Sequence, residues 1–138
     1  MNWNFVKNTV SIDNLKKIEN ELSCSLPSDF VKTVTIYNGG CPEKVRYDLL
    51  NVKEKVFDRL VNFDIKSKNN VLSIYQAIKK RTKSNLIPFG EDPFGNYICF
   101  LFENNNQYKI VFWDHEQEAS KSITFISNTF SEFIEKLY

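Results

Sequence analysis

The sequence predicts an α+β protein in which helices pack against a mainly antiparallel sheet. Three observations predict it. Residues 11–22 and 28–37 carry apolar side chains at the three-and-four spacing of helices. Residues 96–103 and 108–113 are two mostly apolar runs split by a polar tetrad, the pattern of a hairpin. Residues 127–137 return to helical spacing. With 138 residues, the chain reads as one domain over residues 1–138, able to bury about two-thirds of its unfolded surface.

In chain order, Ile12, Leu15, Ile18 and Leu22 mark the buried side of a first helix. Ser11 is its expected N-cap, and Asp13 suits the positive end of the first turn. Pro27 is expected to break this helix, and Pro27 or Ser28 to open a second through Phe30, Val31, Val34 and Tyr37. Asn38-Gly39-Gly40 supplies residues that tolerate a left-handed helix end. Residues 45–64 give a weaker signal: Val45 to Leu50 reads as a strand, and Val56 to Phe63 as a strand or a short helix. Asp64 to Asn70 is a polar loop. Val71 to Arg81 reads as a helix with Val71, Ile74, Tyr75 and Ile78 on one face. Lys79-Lys80-Arg81 and Lys83 suit its negative C-terminal pole, and no nucleic-acid-binding motif accompanies them.

Ile87 to Phe100 is the most informative stretch. Pro88, Pro93, Gly90 and Gly95 surround Glu91 and Asp92, and an apolar run follows. Such restricted chemistry predicts a tight acidic loop that holds Glu91 and Asp92 in fixed positions at the surface and feeds a buried strand. Asn96 to Glu103 and Tyr108 to Trp113 form the hairpin, joined across Asn104-Asn105-Asn106-Gln107. Ile123 to Ile126 reads as a short strand. Ser127 to Leu137 closes as a helix with Phe130, Phe133, Ile134 and Leu137 on one side.

Twelve Phe against one Met predict a core dominated by rings. No apolar run approaches the roughly 20 residues of a bilayer span. Met1 to Lys7 lacks the basic-then-apolar order of a secretory signal, so a cytoplasmic location is expected. Cys24, Cys41 and Cys99 are odd in number and form no CxxC pair, and there is one His; reduced thiols and no zinc site are expected. Glu91 and Asp92 would form a cation site only if their loop met Asp114 or Glu116, and the alternating ligands of an EF-hand are absent. Neither Gly39-Gly40 nor the pair Gly90 and Gly95 fits a phosphate-binding loop, and GxSxG is absent. No metal and no cofactor are expected.

His115 lies between Asp114 and Glu116, an arrangement from which a general base could be built. Sequence neighbours on a strand point apart, however, and Gln117-Glu118 breaks the metalloprotease HExxH pattern. A structural hydrogen bond is the favoured role for His115, and no catalytic residue is assigned.

The net charge of +1 hides an asymmetry. The first 83 residues carry 15 basic and 9 acidic side chains, the remainder 3 and 8. The acidic C-terminal part suits a basic partner, which it would also attract at a distance. Glu91, Asp92, Asp114, Glu116 and Glu118, interleaved with Phe94, Tyr97 and Trp113, are therefore the candidate partner-binding residues.

Several motifs occur in an order that resembles the SUKH superfamily. Leu26-Pro27-Ser28-Asp29-Phe30 and Tyr37-Asn38-Gly39-Gly40 match its opening helix pair. Ile87-Pro88-Phe89-Gly90, Asp92, Gly95-Asn96, Ile98-Cys99-Phe100, Val111 to Glu116 and Ser127 to Phe133 continue the match from about residue 11 to 138. The resemblance implies that Asn38, Gly39, Gly40, Gly90, Gly95 and Trp113 are mostly determinants of the fold. The superfamily holds fungal regulators of cell-wall assembly and bacterial immunity proteins, and this short chain without long extensions looks like a bacterial member.

The resemblance implies a non-enzymatic immunity protein that binds a cognate polymorphic toxin and neutralises it. A basic nuclease domain is the expected partner, because an acidic face can occupy a surface built for phosphates. No direct contact with nucleic acid or membrane is expected. The alternative is a cytosolic regulator or scaffold with a non-toxin partner. A hydrolase using His115 with Asp92 or Asp114 is a third reading that no motif supports.

Overall fold

The computed structural model describes residues 1–104 and 107–138. Strand β1 (Trp3–Asn4) precedes helices α1 (Ile12–Leu22) and α2 (Ser28–Tyr37). Four two-residue strands follow: β2 (Cys41–Pro42), β3 (Arg46–Tyr47), β4 (Lys55–Val56) and β5 (Arg59–Leu60). Helix α3 (Val71–Lys79) leads into β6 (Leu86–Glu91), β7 (Tyr97–Asn104) and β8 (Gln107–Trp113). A 3-10 turn at Ala119–Lys121, β9 (Ile123–Ser127) and α4 (Phe130–Lys136) complete the order. The turn expected across Asn104 to Gln107 falls on residues 105 and 106, outside the described residues.

Strands β5 to β9 form an antiparallel sheet in sequence order, while β1 pairs with β2 and β3 with β4. The mainly antiparallel α+β architecture is the one the hydrophobic spacing predicts. Alternation divides the sheet into two faces. Ile87, Ile98, Phe100, Ile110 and Phe112 join Phe30 of α2 and Phe130 and Phe133 of α4 in the larger core. Leu86, Cys99, Val111 and Trp113 form the opposite face, against Ile78 of α3. Phe30 meets Phe63, Phe100 and Phe130 edge-on, with centroids 5.0 to 5.2 Å apart. Each such pair adds about 0.5–1.5 kcal/mol beyond its buried area.

Helix boundaries follow local chemistry. Ser11 accepts a hydrogen bond from the Asn14 backbone, as its N-cap role requires. Helix α1 ends earlier than Pro27, at Ser23, which adopts the left-handed conformation (φ 51°). Asp29, beyond its place in the first turn of α2, accepts from the Ser131 backbone and hydroxyl and so ties α2 to α4. Helix α3 stops two residues short of Arg81, and α4 starts after Thr129 caps it, leaving Ser127 in β9.

Two expectations are corrected. Residues 86–91 are not a loop but a strand paired on both sides, with Pro88 opposite Cys99 and a register shift between Pro88 and Gly90. That bulge accommodates the proline and leaves Phe89 as the unpaired extra residue. Residues 45–64 contain no long strand or helix; they form two-residue strands linked by turns. Leu49 and Phe57 are buried there, so side-chain burial anchors this stretch together with its short ladders.

Candidate functional site

The bulge at Phe89 decides which way Glu91 faces. Uninterrupted alternation from Ile87 would turn Glu91 toward the core, since a one-residue step reverses every side chain. The extra residue instead sets Glu91 opposite Tyr97, and Tyr97 opposite Trp113, across β6, β7 and β8. Glu91 and Tyr97 thus open onto a trough beside α3. The trough consists of two hollows that share Ser73, Ile74 and Tyr97. The first, about 630 Å³, is bounded by Lys7, Arg59, Asn62, Lys68 and Glu91. The second, about 300 Å³, is bounded by Arg81, Gly95, Trp113 and His115.

Asparagines build the walls. Asn38, fully buried, donates to Asn8 and Asn62 and accepts from the Phe63 backbone at 2.7 Å. Asn14 accepts from Ile65 and donates to the Phe63 carbonyl. Asn70 caps α3 through the Leu72 backbone while donating to the carbonyls of Ile65 and Ser67. These bonds satisfy backbone groups that the irregular 62–70 segment could not otherwise pair, and they hold its shape. Gly39 (φ 72°) lets the Lys7 side chain lie across the end of α2: a Cβ there would sit 2.6 Å from Lys7 Cδ.

Burial raises the Glu91 carboxyl above its ordinary range, an effect that the nearby Arg59 guanidinium partly offsets. Burial, reinforced by Glu91, likewise raises Tyr97. Arg81 lies over the Trp113 ring at 5.4 Å, which is a cation–π contact.

The five acidic candidates have different fates. Asp92 is not at the surface: only 6% of it is exposed. Its Oδ1 accepts from the backbones of Phe94 and Asn96 at 2.8 Å each, and its Oδ2 accepts from the Asn96 amide. The β6–β7 turn points polar N–H groups inward, and Asp92 is the group that satisfies them. Asp114 is half-buried and accepts from the Glu116 backbone. Glu91 is half-buried in the trough, whereas Glu116 and Glu118 are exposed. The loops of Asp92 and Asp114 do meet, but through Asn96 and His115: Asn96 Oδ1 accepts from the His115 backbone, and His115 Nδ1 lies 2.7 Å from the same oxygen. Among the described residues no group of three or more His, Cys, Asp or Glu is placed to hold a metal ion.

Of the aromatic candidates, Phe94 is 70% exposed at the turn tip, Tyr97 is half-buried and Trp113 belongs to the core. Cys99 is buried and Cys24 half-buried, and burial pushes the Cys24 thiol up to about 12, an inert state at neutral pH. No helix among the described residues is long and apolar enough to cross a membrane. Sequence reasoning missed Lys7, Arg59, Lys68 and Arg81 as neighbours of the site. The basic excess of the first 83 residues was the only signal for Lys7, Arg59 and Lys68, and Arg81 read as part of the basic end of its helix.

The family model described as SMI1-KNR4 cell-wall, SUKH_6, matches residues 12–134. The chain belongs to the SUKH superfamily. A comparison with curated proteins found no match. The family match spans the helix pair, the five-stranded sheet and every named wall of the trough except Lys7, and the family's immunity and regulatory members generally act by binding and not by catalysis.

Proposed function

We propose that this chain is an immunity protein that neutralises a cognate toxin, a nuclease, by stoichiometric and non-catalytic binding in the cytoplasm, as a single domain over residues 1–138. Family membership over residues 12–134 carries the reading, since toxin-immunity proteins are part of that family. The arrangement of charge supports it. Glu116 and Glu118 stand exposed on a turn pinned by Asp114 and by the Asn96–His115 bonds, so little ordering is needed on binding. Glu91, Asp114, Glu116 and Glu118 then form the partner-binding set, while Asp92 acts by holding the turn that carries Phe94.

Catalysis by His115 has no comparable support. Its Nδ1 is engaged by Asn96, and the carboxylate of Glu116 is 4.0 Å from its Nε2 with no nucleophile assigned nearby. A regulator or scaffold is the second reading, favoured by the cell-wall description of the matching family.

Titrating a nuclease toxin domain, sought among the genes beside this one, with purified protein tests the proposal. The expected result is a 1:1 complex and loss of toxin activity at one equivalent, unchanged in His115→Ala. Absence of a complex, with both proteins folded, would favour the regulator.

A further inference from the structure

The trough is rich in cations. Its His115 end holds Arg81 and adjoins the turn that carries Glu116, whereas its other end is bounded by Lys7, Arg59 and Lys68, with Glu91 among them. Among the described residues, neither Lys7 nor Lys68 has a carboxylate within 4.0 Å, and Arg59 pairs only with its neighbour Asp58, at 3.5 Å. All three cations sit on fixed supports. The Lys7 backbone bonds to the Asn38 carbonyl at 2.9 Å and its stem lies against Gly39. Arg59 is paired with Glu91 in the sheet, and Lys68 belongs to the segment that Asn70 holds. The N-terminus of α3, capped by Asn70 two residues beyond Lys68, adds positive partial charge.

We propose that this end of the trough binds an acidic extended segment of the protein partner, whose carboxylates pair with Lys7, Arg59 and Lys68 while an apolar side chain seats against Ile74 and Tyr97. The inference rests on the partner-binding reading above and deepens it, because it assigns the partner a second contact opposite in sign to the acidic turn. A polypeptide fits better than a nucleic acid. Glu91 lies among the three cations, where it would repel an evenly charged phosphate backbone. Separate carboxylates can be spaced to avoid it, and Glu91 can accept a hydrogen bond from the partner's backbone. A partner that must present both a basic and an acidic patch at this spacing is also selected against mismatched toxins.

The test compares wild type with Lys7→Glu/Lys68→Glu, two exposed positions whose reversal leaves the core untouched. The probes are the same toxin domain and a 12-nucleotide single-stranded oligothymidylate. The expected result is toxin binding by wild type that weakens with salt, and a loss of about 30-fold or more in the folded variant. Equal affinity of the two proteins for the toxin overturns the inference and leaves the immunity reading standing. Failure of wild type to bind the toxin overturns the immunity reading, and this inference with it. Salt-dependent oligonucleotide binding that disappears in the variant, without loss of toxin binding, overturns it in favour of a nucleic-acid groove.

Discussion

Asn96 Oδ1 accepts two hydrogen bonds from His115, one from the backbone N–H at 3.0 Å and one from ring Nδ1 at 2.7 Å. The amide orientation is set by Asp92, whose carboxylate can only accept, from Asn96 Nδ2 at 2.9 Å. His115 Nδ1 is therefore a donor, and the β6–β7 turn and the β8 exit behave as one unit. Asn96→Leu should cost about 3 kcal/mol, since it leaves Asp92 Oδ2 and the His115 backbone N–H without partners, while Asp92 Oδ1 keeps its two backbone donors. His115→Ala should cost about 1 kcal/mol. Urea denaturation of both variants checks this, and equal losses would mean that the turn is not held through Asn96.

Gly90 and Gly95 should fail for different reasons. A Cβ at Gly90 would lie 2.6 Å from Cε2 of Phe57, a fully buried ring packed against Phe89 and Phe133. Gly90→Ala should cost about 2 kcal/mol through displaced packing. At Gly95 the backbone itself resists, with φ 88° and the His115 ring 3.2 Å from a Cβ; Gly95→Ala should cost about 1–2 kcal/mol. Phe57→Leu should cost less in the Gly90→Ala background than in wild type, and as much in the Gly95→Ala background as in wild type, as thermal unfolding would report.

Glu91 makes a pH dependence of definite sign. Its carboxyl is raised in the folded protein from an ordinary value of 4.5. Below that value it is neutral in both states and costs nothing. As pH rises through it, the unfolded chain releases its proton first, so stability falls until the folded group ionises as well. Relative to wild type, Glu91→Gln should therefore gain stability as pH rises above about 4.5, then hold a constant margin once the folded carboxyl has ionised. Unfolding midpoints across that range measure it, and a margin independent of pH would contradict the assigned burial effect.

The Tyr47 hydroxyl is buried and has no hydrogen-bond partner among the described residues. Burial drives its ionisation far above the ordinary range, so it stays neutral. Tyr47→Phe removes an unsatisfied group while keeping the ring against Phe133, and stability should rise by about 1 kcal/mol. A loss of that size would reveal a partner for the hydroxyl.

Helices α1 to α4 were legible because their apolar faces, caps and stops are local. The β7–β8 pair was equally plain, from two apolar runs with polar residues between them. Strand β6 was not, because Pro88 and Gly90 carry the signature of a loop and only pairing to β5 and β7 stabilises them in a ladder. The fate of Asp92 was hidden for the same reason. An acidic residue between glycines and prolines reads as surface, and its burial depends on backbone donors that exist only once the turn closes. The trough was the least legible feature, since Lys7, Arg59, Lys68 and Arg81 come from four separated segments. Their meeting is a consequence of the tertiary fold alone.

Survival of cells that co-express this chain with a nuclease toxin, sought among the neighbouring genes, tests the central claim most directly. The account predicts rescue by wild type, none by an unrelated superfamily member, and weakened rescue by Glu116→Lys/Glu118→Lys, both exposed and outside the core. Death of cells containing soluble wild-type protein would contradict the immunity function.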